Sequence, residues 1–226
     1  LFNTALLVTL ATAIASILGV FIGVAAAAKD ATKMGSVFLV VTISLYSLPV
    51  FWTGALLLLL FGYHLGWFPL GGTTTIPPPE NFFFLVQDTL FHMALPVVVL
   101  VLYLVAGSAL MVRATSLDEL KRDYVITARA KGIGRHRVLY KHVLRNSMLP
   151  FVTFTALAFG MLFTGTILVE IIFSLNGIGK YLFTSVVNED FPALQAIFFV
   201  SAVVVIAANL VADLLYGYLD PRIRIG

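Results

Sequence analysis

The sequence predicts an all-α, polytopic membrane protein. Three observations carry that expectation: 60% of the 226 residues are hydrophobic, only 11% are charged, and the mean hydropathy is +1.02. A soluble domain carries about 25% charged residues. No water-facing shell drawn from this composition covers the apolar side chains, so lipid must do so. The absence of cysteine excludes disulfides, thiol nucleophiles and cysteine metal sites.

A helical span needs roughly 20 mostly apolar residues to cross about 30 Å of hydrocarbon. Five stretches meet that length, at about 2–28, 37–61, 93–112, 149–169 and 194–219. The first lacks the basic n-region and cleavage site of a signal peptide, so it reads as a true span. It carries Gly19 and Gly23 in a G-x-x-x-G pair, and the fourth carries Gly160 and Gly165. Small residues let helix backbones approach closely in lipid, within the chain or at a subunit interface. Pro96 sits near the start of the third stretch, where a helix tolerates proline.

Of the 14 Lys and Arg, nine lie between Arg113 and Arg145; Lys29, Lys33, Arg222 and Arg224 follow the first and last spans. The loop 62–92 has none, and the loop 170–193 has only Lys180. The positive-inside rule makes the basic regions cytoplasmic and the two poor loops external. An odd span count then puts residue 1 outside and the C-terminus inside. In loop 62–92, Gly71-Gly72, a threonine run and Pro77-Pro78-Pro79 predict an extended excursion. Trp67 and Phe82-Phe83-Phe84 suit the headgroup interface.

The loop 113–148 is the most informative part. Ser116 is a candidate N-cap, with Glu119 completing a capping box. The helix it opens is expected to run through Ala130 and stop at Gly132. Leu120, Tyr124 and Thr127 or Ala128 share one face of it. After Gly134, Val138, Leu139, Val143 and Leu144 predict a second amphipathic helix, and Pro150 opens the fourth span. Two short helices with small residues at their turn suit a groove on a cytoplasmic partner; on residue chemistry alone they also suit an anionic lipid surface.

Thr127–Gly132 (TARAKG), followed by Arg137–Pro150 (RVLYKHVLRNSMLP), resembles the coupling-loop signature of binding-protein-dependent ABC importer permeases, and more narrowly the B-type subunit of the dipeptide, oligopeptide and nickel importers. LFNTALLVTL at the start, Glu170–Leu182, Asn188–Ala196 and Asn209–Arg224 fit the same pattern in order. Ile126-Thr127-Ala128 stands where the general motif has Glu-Ala-Ala, and Leu149-Pro150 lie further from the glycine than in that motif; both departures fit the peptide/nickel branch. Members of this branch carry a further N-terminal span and outer segment, so the resemblance implies six spans in the complete subunit.

The resemblance implies a type I ABC importer permease fold, a single transmembrane domain over 1–226, and a prokaryotic cytoplasmic membrane. It implies half of a pathway for di- or oligopeptides, or alternatively nickel or a metal chelate. The partners it implies are a homologous C-type permease, two cytoplasmic ABC ATPases that hold ATP and Mg, and an extracytoplasmic solute-binding protein. No cofactor, metal or nucleic acid is expected on this chain, which is read as a transport subunit and not an enzyme. Tyr124, Thr127, Ala128, Ala130, Lys131 and Gly132 would dock in the ATPase groove, with Arg135 and Arg137 adding polar contacts. Glu170, Phe173, Asn176, Gly177 and Gly179 fit the family's outer turn, which reaches toward the pathway or binding protein; the same residues also suit a satisfied interfacial turn.

The residues agree with these implications. Gly177-Ile178-Gly179-Lys180 lacks the spacing of a phosphate-binding loop. His64, His92, His136 and His142 form no metal-ligand pair. An intramembrane protease would pair a span serine (Ser16, Ser44, Ser108 or Ser201) with a base, yet no histidine lies mid-membrane. Ion-coupled carriers bury charges near the midplane, and the middles of the five stretches have none. Asp213, near the inner end of the last stretch, reads either as functional or as the partner of a basic surface residue.

Overall fold

A computed structural model describes residues 1–30 and 32–219, with the backbone alone at Leu149, 163–165, 212, 213 and 215–219. The side chain of Asp213, and Arg222 and Arg224, lie outside the described residues. The described chain is 81% helical, without strands. Its helices are α1 (Phe2–Ala28), α2 (Lys33–Ser47), α3 (Val50–Leu57), α4 (Phe82–Glu119), α5 (Asp123–Ala130), α6 (Arg135–Arg137), α7 (Leu144–Gly165), α8 (Ile167–Ile172), α9 (Ile178–Val187) and α10 (Phe191–Leu219). Wide π-helical turns extend α3 over Leu58–His64 and join α6 to α7 over Val138–Val143. Phe2–Ala28, Phe82–Glu119 and Phe191–Val211 are long and apolar enough to cross a membrane, and α2 with α3 is a fourth if that broken pair is one span. The fourth expected span survives as the apolar stretch Pro150–Leu162 inside α7.

Several boundaries differ from expectation, each for a local reason. The stretch 37–61 is two helices, because Pro49 adopts extended backbone at the head of α3 (φ −61°, ψ 128°) and proline disfavours helix in the residue before it. The third span is the middle of a longer helix, so Pro96 lies inside α4 rather than near its start. Pro150 likewise lies inside α7 instead of opening a span. Ser116 does not cap a helix: it is buried within α4, with its hydroxyl 3.2 Å from that of Ser147. The next helix begins only at Asp123, whose carboxylate favours a helix start. The loop between His64 and Phe82 is non-helical over its Thr/Pro stretch, as expected, but 170–193 contains α9 as well as a turn.

The chain forms two compact units. Among the described residues, one comprises 1–12, 48–101 and 159–207; the other comprises 13–47, 102–158 and 208–219. In the first, α8 and α9 pack together and α3 packs on α8. In the second, Val24, Val112, Val125, Ala128, Val138, Leu139, Val143 and Phe151 form a buried apolar core. The outer faces stay apolar: Val40 and Val41 on α2, and Ile206, Leu210 and Leu214 on α10, are exposed, as lipid contact requires.

Of the two readings of Gly19 and Gly23, packing within the chain is the one observed. A Cβ on Gly19 would stand 2.4 Å from Cβ of Ser108, and one on Gly23 would stand 2.7 Å from the Ala109 carbonyl oxygen. Gly160 has more room, its nearest neighbour being a methyl of Val205 at 3.4 Å. Overpacking a tight seam costs about 1–3 kcal/mol or more. Gly23→Leu is therefore expected to lower the amount of monodisperse protein recovered in mild detergent, while Gly160→Ala leaves it near wild type; fluorescence-detected size exclusion of the two variants measures both.

Candidate functional site

The basic loop folds as a hairpin of α5 and the α6–α7 helix, turned at Gly132. The turn is a Schellman closure: the Gly132 N–H donates to the Arg129 carbonyl (2.9 Å) and the Ile133 N–H to the Ala128 carbonyl (3.2 Å). Gly132 has φ +76° with open space around it, so backbone conformation, not crowding, requires glycine here. Ile133 tucks against the core and helps fix the turn.

The hairpin's interior is apolar. Val125 and Ala128 of α5 are buried against Val138, Leu139 and Val143. Tyr124 is half-buried and donates its hydroxyl to Glu119 Oε2 at 2.8 Å; Asn146 Nδ2 approaches the same oxygen at 3.4 Å. Burial, and the bond to Glu119, push the Tyr124 phenol above its ordinary value, so it remains a protonated donor at neutral pH. Arg135 donates to the Ala28 carbonyl at the end of α1. Beside it, Arg113 pairs with Asp30.

These contacts divide the residues expected to couple to an ATPase. Thr127, Ala130, Lys131, Gly132, Arg135 and Arg137 are exposed, forming the tip and outer side of the hairpin. Tyr124 and Ala128 turn inward and hold α5 to its own subunit. Ile126, 61% exposed, stands on the outer side with Thr127 and Ala130. Sequence reasoning did not single it out; a lone aliphatic residue on an otherwise polar face was the available signal.

The residues of the outer turn gather around one carboxylate. Glu170 is fully buried. It accepts from Thr4 Oγ1 at 2.6 Å, Thr166 Oγ1 at 3.0 Å and the Lys180 N–H at 2.8 Å. Thr4 Oγ1 in turn accepts from the Ile178 N–H at 2.8 Å. The first turn of α9 is thus capped by a carboxylate from α8 and a hydroxyl from α1, where donors and helix dipole both favour negative charge. Gly177 and Gly179 permit the approach, since a Cβ on Gly177 would overlap the carboxylate at 2.3–2.4 Å and one on Gly179 would lie 2.9 Å from Oε2.

The turn is anchored further by the Gly72 N–H on the Phe173 carbonyl (3.0 Å), the Asn176 N–H on Thr73 Oγ1 (3.3 Å) and Asn3 Nδ2 on the Asn176 carbonyl (2.8 Å). Glu170, Phe173, Gly177 and Gly179 are buried and only Asn176 is exposed. The set is a folding node, which favours the satisfied-turn reading. Thr4, Thr166 and Thr73, its partners, carry no sequence signal that marks them. Among the described residues no group of three His, Asp or Glu side chains is placed to hold a metal ion.

Comparison with known proteins places this geometry in a family. The family model described as binding-protein-dependent transport system inner membrane component matches residues 19–225. An oligopeptide transport system permease protein, AppB of Bacillus subtilis, is 38% identical over 222 residues, covering 98% of this chain and 69% of its own. The di/tripeptide permease DppB of Pseudomonas aeruginosa is 38% identical over 220 residues (91% and 66%), and the dipeptide permease DppB of Escherichia coli K12 is 36% identical over 227 (93% and 67%). The chain therefore spans about two thirds of the length of the relatives it matches. A solved chain of the MetNI methionine ABC transporter, in an inward-facing conformation, shares the fold with TM-score 0.75 at 12% identity, covering 97% of this chain and 94% of that one. The chain belongs to the family of binding-protein-dependent transport system inner membrane components, as a multi-pass transport subunit with the type I ABC importer permease fold.

Proposed function

We propose that the chain lines half of the pathway of an ATP-driven peptide importer, with cargo delivered by an extracytoplasmic binding protein and hydrolysis on separate subunits. The observation that carries this reading is its 36–38% identity, over more than nine tenths of its length, to permeases named for oligopeptides, di/tripeptides and dipeptides. Those names favour peptides over the nickel or metal-chelate alternative. The hairpin supports a mechanical role: it is packed on an apolar core, closed by a hydrogen-bonded turn, and exposes Ile126, Thr127, Ala130 and Lys131. In this reading those residues, with Gly132 and Arg137, meet a cytoplasmic ATPase. A second permease completes the pathway, and closure of two ATPases drives the change in access. Hairpin and C-terminus then face the cytoplasm.

Residues 1–226 contain no cysteine, so Ala130→Cys gives a single attachment point within them. In the full-length protein within native membranes, a short thiol crosslinker at that position is expected to capture an ATP-hydrolysing subunit, and uptake of labelled di- to pentapeptides is expected to depend on the permease. Capture of no such subunit overturns the reading.

A non-glycine residue in the left-handed region costs roughly 1–2 kcal/mol, with asparagine tolerated best. Gly132→Val is expected to reduce peptide uptake up to about tenfold, the equivalent of about 1.4 kcal/mol, while Gly132→Asn retains most of it. Equal uptake by the two variants counts against a role for the turn's conformation.

A further inference from the structure

We infer that Tyr124 and Arg135 are positioning residues that transmit movement of the hairpin to the ends of α4 and α1. The inference rests on the proposed function and adds to it the route by which force leaves the docking helix.

The apolar core holds α5 through contacts that set no direction, in a cluster that also includes Val24 of α1 and Val112 of α4. Val125 and Ala128 seat it on Val138, Leu139 and Val143, which run without a break into α7. Apolar contacts are non-directional and permit sliding; hydrogen bonds impose distance and angle. Two such directed contacts leave α5 and α6 for other helices, and the α7 arm adds Asn146 on Glu119 and Ser147 beside Ser116. Tyr124 reaches Glu119, the last residue of α4, and Arg135 reaches the carbonyl of Ala28, the last residue of α1.

Those two helix ends form one mechanical body. Gly19 and Gly23 bring α1 against Ser108–Arg113 of α4 with no room for a side chain. The Asp30–Arg113 pair closes the seam just beyond Ala28. A displacement of the hairpin therefore acts on the α1/α4 pair at two points, one on each helix. Asn146 Nδ2, on the same Glu119 oxygen, brings α7 into the first point. Tyr124→Phe keeps the ring and its packing and deletes only the directed bond. Arg135→Gln removes the long donor, and Arg135→Lys restores a charged donor of similar reach.

The test uses the full-length permease, reconstituted with its partner permease, ATPases and binding protein in liposomes. ATP hydrolysis and import of a radiolabelled tripeptide are measured together. Tyr124→Phe and Arg135→Gln are expected to lower peptide imported per ATP hydrolysed by about fivefold, within the range for single contacts in a coupling network; Arg135→Lys is expected to recover part of it. A role in stability alone lowers both rates in proportion, so an unchanged ratio overturns the inference.

A second readout does not depend on cargo. Backbone hydrogen exchange at Ala26–Asp30 is expected to respond to ATP in the wild type and to lose that response in Arg135→Gln. A response that survives the substitution, or is absent from the wild type, also overturns the inference. Hydrolysis without import of any peptide by the wild type, with the exchange response intact, refutes the peptide assignment and leaves the transmission route standing.

Discussion

Backbone groups released where a helix breaks must find partners inside the protein, because hydrocarbon offers none and each orphan costs several kcal/mol. The start of α9 shows how such groups are matched. At α9, four first-turn N–H groups would otherwise be unmatched. Glu170 accepts the Lys180 N–H and Thr4 accepts the Ile178 N–H. The Glu170 carboxyl is held in its buried site by two hydroxyl donors and one amide. Gly177 and Gly179 follow from the same need, since any side chain there would push the cap away. The residues that suit an outer binding turn also close a helix end.

The hairpin closes its helix end by a different device. Its free carbonyls are closed by a left-handed glycine, and its one exposed large aliphatic residue is Ile126. Val125, Ala128, Val138, Leu139 and Val143 face inward. A helix lying on a membrane surface needs its apolar face free to enter lipid. Here that face is already occupied, which weighs against the lipid-surface reading that the basic residues alone allow. What remains outside is a small, mostly polar tip with a single apolar point, suited to a protein groove.

The sequence made legible whatever depended on neighbours in the chain. The apolar runs marked the helices, Gly132 marked the end of α5, and the spacing of Val138, Leu139 and Val143 marked the inner face of the next helix. It misled where a distant partner decided the outcome. Ser116 has the pattern of a cap, yet it pairs with Ser147 and lets α4 run on. Ala128 lies within the recognised motif and Tyr124 just before it, but their burial depends on the following helix and on the end of α4. Thr4 meets Glu170 across 166 residues, a separation that no local pattern encodes. Pro49 is an intermediate case, because its local bias was readable and the length of the apolar run concealed it.

The glycine seam and the hairpin contacts together distinguish a lever from a loose loop. Tight packing fixes the separation of α1 and α4, since a gap of a few tenths of an ångström already forfeits attraction and an overlap is steeply repulsive. A body so fixed moves as a unit when pushed at its ends, and Glu119 and Ala28 are such ends. Stiffness in the hairpin would be wasted on a flexible neighbour, and a stiff neighbour would stay still if the hairpin could slide. The seam of small residues and the directed bonds of Tyr124 and Arg135 therefore belong to one requirement, the transfer of displacement without slack.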